Sequence, residues 1–135
     1  MKTKRIKLES PTENATFFAL SSSDPIHKIA WQINSLTHLN LKENEGINYL
    51  DIIFPMQKDD ISIPENNFIL VKNRVEAFTL IKDLPNVDYI IKLEGNLSKD
   101  YQKDLLSIIK NISSVNAVIQ LDPKRIRNLY LLANH

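Results

Sequence analysis

The chain has no cysteine, and only two glycines and one tryptophan, among its 135 residues. Without cysteine there can be no thiol nucleophile, disulfide framework or thiolate metal site, and the composition fits a reducing compartment. The scarcity of glycine, confined to Gly46 and Gly95, excludes more. Phosphate cradles of the P-loop and dinucleotide types need several glycines within a few residues, because only glycine lets backbone N–H groups come so close to a phosphate. The same shortage removes the G-x-S-x-G nucleophile elbow and the glycine-rich loop of kinases. An excess of either charge is also missing. With 17 Lys and Arg against 16 Asp and Glu, no overall field draws the chain onto nucleic acid or an anionic membrane. No apolar run approaches the roughly 20 residues of a membrane span. The start, MKTKRIKLES, has basic residues with no apolar core behind them and does not read as a secretory signal. A cytoplasmic protein is expected, with residues 1–135 forming one domain large enough to bury a core without metal or disulfide.

The remaining sequence reads as strands and two helices. KRIKLE (Lys4 to Glu9) alternates like an edge strand, and ATFFALSS (Ala15 to Ser22) is apolar without helical spacing, as a buried strand would be. In SDPIHKIAWQINSLTHL, Asp24 is placed to cap a helix and Pro25 to open it, and Ile26, Ile29, Ala30, Ile33 and Leu36 form one buried stripe. This spacing predicts a helix from Pro25 to Leu39. LKENEGIN reads as a polar turn, YLDIIFPM as a strand stopped by Pro55, and QKDDISIPEN as an exposed connection. NFILVK and VEAFTLIK are strand-like runs joined at Asn73-Arg74, where asparagine suits a two-residue hairpin. A strand from Val87 to Glu94 follows, bounded by Pro85 and Gly95. Ser98 caps a second helix with Tyr101, Leu105, Ile108, Ile109 and Ile112 on one face; SVNAVIQL is a last strand, and Asp122-Pro123 opens a C-terminal helix. Strand-helix-strand thus occurs twice. The expected fold is an α+β two-layer sandwich of the ferredoxin-like kind, with paired βαβ units, both helices on one face, an inserted β-hairpin and a C-terminal helix.

The stretch NVDYIIKLEGNLSKDYQKDLLSIIKNISSVNAVIQLDPKRIRNL resembles the C-terminal half of a small bacterial family of the Bacteroidetes group named for the pattern IPExxVDY. Val87, Asp88 and Tyr89 match the second half of that pattern. The strand ending in Gly95, the helix, the strand and the DPK at Asp122 to Lys124 follow the family's layout. At the literal spacing, the first half falls on Lys82, Asp83 and Leu84, and the IPE at Ile63 to Glu65 lies further upstream. The resemblance implies a small bacterial protein but no reaction, since that family has no established biochemical function.

Candidate chemistry is sparse. Asp88 and Glu94 would share a strand face roughly 20 Å apart, whereas glycosidase carboxylates stand about 5 to 9.5 Å apart. Glu94 instead reads as a solvated partner of Lys92 on an open sheet face, and Asp88 as a strand-start residue bonding nearby amides. His27, Trp31, Asn34 and His38 share one side of the first helix, away from the apolar stripe. The two histidines are about 16 Å apart along the axis, so they hold no common metal. They mark either a partner-binding face anchored by Trp31 or an internal contact under the hairpin or C-terminal helix. Lys124, Arg125 and Arg127 offer an anion or RNA contact, but the open sheet face would show Ile90, Asn116, Val118 and Gln120 where RNA-binding sheets show aromatics. Asp51, Asp59 and Asp60 belong to loops that could hold a hard cation weakly or simply be solvated. His135, last in the sequence, is expected to be mobile.

No Ser-His-Asp set can be assembled, so no catalytic residue, metal or cofactor is expected. The reading that follows is a non-enzymatic cytosolic module that binds a protein partner or forms a homodimer through the sheet face or the Trp31 side of the helix. The alternative is a small-ligand-binding regulatory domain resembling the ACT family, its ligand at the Ser21 to Pro25 turn. An RNA-binding accessory role ranks third.

Overall fold

The structure, a computed structural model, describes residues 15–63, 65–133 and 135. The strand expected at Lys4 to Glu9 lies outside them. In chain order the elements are β1 (Ala15–Ser22), α1 (Ile26–Leu36), β2 (Lys42–Tyr49), β3 (Ile52–Asp59), β4 (Asn67–Lys72), β5 (Arg74–Val75), β6 (Phe78–Thr79), β7 (Tyr89–Glu94), α2 (Lys99–Lys110), β8 (Val115–Leu121) and a 3-10 helix (Leu129–Leu132). Six strands form one sheet in the order β2-β3-β4-β7-β1-β8, and β5 and β6 pair separately. Every pairing within the large sheet is antiparallel. The fold is therefore α+β, with two α-helices on a six-stranded sheet.

The central strands FFAL of β1, FILV of β4 and YIIKL of β7 are buried without a break. Such uninterrupted burial means that both sheet faces are covered. On one face Phe18, Leu20, Phe68, Leu70, Ile91 and Leu93 pack with Ile29 and Ile33 of α1 and Leu105 and Ile109 of α2. On the other, Phe17, Phe54, Ile69, Val71 and Ile90 pack with Leu80, Ile81, Leu129 and Leu132. The second face is thus not open, because the segments after β4 and after β8 lie over it. Val118 and Gln120 pair with Leu20 and Phe18, which puts them on the helix face rather than beside Ile90.

Both helices form where expected, with different ends, but Leu36 and Ile108, expected on the buried stripes, are 56% and 37% exposed. Asp24 does not cap α1; the cap is Pro25, whose carbonyl accepts the Lys28 and Ile29 amides at 3.1 and 3.2 Å. The helix stops at Leu36 because the Thr37 amide and hydroxyl both donate to the Ile33 carbonyl, and the chain then turns to bury Leu39 and Leu41. Ser98 does cap α2, accepting the Tyr101 amide at 3.1 Å.

The polar run LKENEGIN is the edge strand β2 and not a turn. Pro55 does not stop β3. The register passes from Asn44 opposite Met56 to Ile47 opposite Phe54, so Pro55 faces a bulge, and the β4 pairing begins only at Met56. At such a position its missing N–H breaks no ladder bond. β4 pairs with β3 and β7 and not with the run after it, and VEAFTLIK breaks into the small β5–β6 hairpin with Glu76 in left-handed backbone at φ 55. The expected C-terminal helix is replaced by turns and one 3-10 turn, in which Leu129 and Leu132, three residues apart, both reach the sheet.

Candidate functional site: the cleft at the end of β1 and the free edge of β8

Beyond the end of β1 the chain opens a polar cleft of about 390 Å³, lined by Ser22, Ser23, Asp24 and Pro25 on one side and Lys72, Arg74, Asp88 and Tyr89 on the other. Asp88 sits at its floor, just before β7. One carboxylate oxygen accepts the Ser22 amide at 3.0 Å and the Ser21 hydroxyl at 3.3 Å, and the other lies 3.5 Å from the Arg74 guanidinium. Asp88 therefore bonds an amide, but of β1 across the sheet rather than of its own turn. Tyr89 is buried and donates its hydroxyl to the Asp24 carbonyl at 2.5 Å. Burial, followed by the charges of Asp88 and Asp24, pushes the Tyr89 phenol up to about 12. It stays protonated at neutral pH and serves as a tie between β7 and the α1 loop. Asp24 in turn stands 3.7 Å from Lys28. Serines, carboxylates and a guanidinium meet here, but no histidine lines the cleft to activate a serine. What the cleft offers is both signs of charge within one small volume.

The helix-face residues do not act together. Trp31 is 67% exposed and His27 is exposed. Asn34 clamps the chain: its side chain donates to the Leu41 carbonyl at 3.0 Å and accepts the Leu41 amide at 2.7 Å. His38 meets the Tyr101 hydroxyl of α2 at 2.7 Å, a phenol whose pKa is raised by burial and by the charge of Asp59. Asn34 and His38 thus bond within the chain, to the segment after α1 and to α2 rather than to the hairpin or the C-terminal segment, and His38, like Trp31 and His27, stays exposed.

The basic cluster is divided among local acids. Arg127 forms a two-pronged pair with Asp83, its guanidinium 2.8 Å from one carboxylate oxygen while its amide donates to the other at 2.8 Å. Arg125 lies 3.8 Å from Asp122, whose side chain also accepts the Lys124 amide. Asp59 is buried at the end of β3. Burial alone would raise its pKa, but hydrogen bonds from Ser62 and from the Asn40 and Ile61 amides outweigh that and hold it below the ordinary 3.8. Asp60 pairs with Lys58 at 3.9 Å and Asp51 sits in the β2–β3 turn. Among the described residues no three His, Cys, Asp or Glu side chains converge as metal ligands.

Lys92 differs most from its expected place. It is fully buried, 3.8 Å from Glu94, and donates to the Leu132 and Ala133 carbonyls at 2.8 and 3.2 Å. Burial lowers its pKa against the opposing pull of Glu94. Its role is to hold the C-terminal segment on the sheet. His135 is partly buried, and its pKa is lowered by burial and by the charges of Lys92 and Lys58.

The two sheet edges contrast. β2 carries Lys42, Glu43 and Glu45 and is bent by its bulge, both devices that blunt an edge. β8, at the opposite edge, reads VNAVIQL and has no charged residue, and its Ile119 is 60% exposed. Among the described residues no strand pairs with its outer side. Sequence reading identified β8 as a strand but not as an edge, because edge position depends on the pairing order. Among the described residues no helix is long and apolar enough to cross a membrane. Comparison with family models, with curated proteins and with solved structures finds no match.

Proposed function

We propose that the chain is a small non-enzymatic cytosolic module that works by self-association, two copies pairing their β8 strands antiparallel so that two sheets continue into one. The observation that carries this reading is the uncharged, unpaired β8 edge opposite a blunted β2. A two-fold axis at Val118 uses the strand's full length. It sets Asn116 against Gln120, Ala117 against Ile119 and Val115 against Leu121, so amide meets amide and apolar meets apolar, with no like charges opposed. One strand pairing is a small interface, so affinity in the micromolar range is expected.

The absence of native cysteine makes the test clean. Val118→Cys should oxidise to a covalent dimer, because that residue meets its own copy across the axis, whereas Gln120→Cys, which faces Asn116, should not. Equal cross-linking of both variants, or of neither, would reject this pairing. Neither is also the outcome if a different protein occupies the edge.

In this reading the sheet is a ferredoxin-like core extended by a hairpin. With β2 and β3 set aside, β1-α1-β4-β7-α2-β8 follows the β-α-β-β-α-β order, and β1 and β7 are central. The likeness to the IPExxVDY family rests on sequence; in this chain Asp88 and Tyr89, at the entrance to β7, tie that strand to Ser22 at the end of β1 and to Asp24 just beyond it.

A second reading is favoured by the β1 cleft, which lies on the very turn where an ACT-like domain would hold its ligand. Arg74, held only loosely by Asp88 at 3.5 Å, would suit the carboxylate of an amino acid or similar zwitterion, and Glu76, exposed and also in the lining, its ammonium. A thermal-shift screen of amino acids and nucleotides, repeated on Arg74→Ala, tests it; no shift with any amino acid would end it. An RNA-binding role lacks comparable support, since Arg127 is committed to Asp83.

A further inference from the structure

Two hairpin tips flank a second cavity, of about 310 Å³. The β2–β3 hairpin contributes Tyr49, Ile52 and Phe54, and the β5–β6 hairpin contributes Ala77 and Phe78. Its chemistry is opposite to that of the β1 cleft. The walls are aliphatic and aromatic, and one charged side chain, Lys82, stands in the lining. Lys82 is exposed and belongs to none of the ion pairs among the described residues.

Both tips are built at a conformational cost. Leu50 (φ 54) and Asp51 (φ 66) are in left-handed backbone in the first turn, as is Glu76 (φ 55) in the second. A two-residue hairpin of this kind is ordinarily filled by Asn-Gly, which adopts the conformation cheaply; leucine does not. The turn nevertheless holds Leu50 72% exposed in the lining, and Phe78 on the facing tip is 51% exposed. Folding gains little from a solvated leucine in a strained turn, so the outlier points to binding.

We infer that this cavity binds an amphipathic carboxylate, a molecule with one apolar chain or ring and one carboxylate. The apolar part lies between Tyr49 and Ile52 on one tip and Phe78 on the other, and the carboxylate meets Lys82 at the rim. The volume is at the small end of ligand sites, which suits a medium-chain acid and is too small for a two-chain lipid. A single cation matches one negative charge and leaves a polyphosphate uncompensated. This inference is independent of the β8 edge.

Calorimetric titration of the full chain with hexanoate, octanoate, decanoate, decanol and decylamine tests it. Affinity should rise about fourfold per added methylene until the cavity is filled. Decanoate should bind about fivefold more tightly than decanol, an exposed ion pair's worth, and decylamine more weakly than either. Lys82→Gln should bring decanoate down to the affinity of decanol and leave decanol unchanged, while Phe78→Ala should weaken both. Each variant alters an exposed side chain, so unchanged melting temperatures would show that folding is intact. No binding by any of these compounds, equal binding of decanoate and decylamine, or indifference to either substitution would overturn the inference.

Discussion

Asn73 is fully buried, and every polar group it owns is used. Its side chain donates to the Leu84 and Val87 carbonyls at 2.8 and 2.9 Å and accepts the Ile81 amide at 2.9 Å, while its backbone bonds Asp88 and Leu80. In the sequence the same residue reads as a hairpin corner, because asparagine suits both roles and its partners lie 8 to 14 residues further on. Asn73→Ala strands the Val87 carbonyl and the Ile81 amide, while the Leu84 carbonyl keeps the Val87 amide at 3.3 Å. It should cost about 2–4 kcal/mol in urea unfolding, whereas a hairpin-corner asparagine would cost well under half of that. Asp59 gives a pH signature. Its carboxylate is held below 3.8, so the folded state favours its charged form. That stability is fully present above the unfolded value and is lost as pH falls through the lower folded one. Asp59→Asn should therefore be less stable than the parent near neutrality by about 1–3 kcal/mol, and the gap should narrow as pH drops below 3.8. A gap that stays constant down to the acid transition would contradict the assignment.

Legibility at the scale of elements divides along a physical line. β1, α1, β7, α2 and β8 could be read because each carries its own apolar pattern, either a continuous run or a helical stripe. β2 could not: its residues are polar because it is an edge, and edge position follows from the strand order rather than from its own sequence. The polar run also hides the reason for its glycine. Gly46 has φ +85, and a Cβ there would stand 2.8 Å from the Phe54 carbonyl oxygen, a backbone atom that cannot swing aside. Gly46→Ala should thus destabilise by about 1–3 kcal/mol, read as a lowered urea midpoint with unchanged slope. A neutral result would mean that the bulge opposite Pro55 is free to relax.

For the whole molecule, the main difference from the sequence reading is the covering of the second sheet face. A lysine within YIIKL marks that strand as half-solvated, yet Lys92 is buried because carbonyls about forty residues later close over it. No local pattern encodes such a contact, and the expected dimer surface on that face disappears with it. Surface available for association moves to the edge. Tyr89 and Asp88 likewise could be seen as a motif, but their partners Asp24 and Ser22 lie more than sixty residues away. Placing a lysine on the exposed face of an uncharged edge strand is a common natural safeguard against pairing, and Ile119, 60% exposed, can take that change without disturbing the core. Sedimentation velocity on the full chain and on Ile119→Lys, from about 1 to 100 µM, a range that brackets the micromolar affinity of a small interface, is the most direct measurement. If β8 joins two copies, the parent shifts from monomer to dimer across that range and Ile119→Lys stays monomeric with the same melting temperature. A parent that remains monomeric throughout, or an Ile119→Lys variant that dimerises as well as the parent, would contradict self-association through this edge.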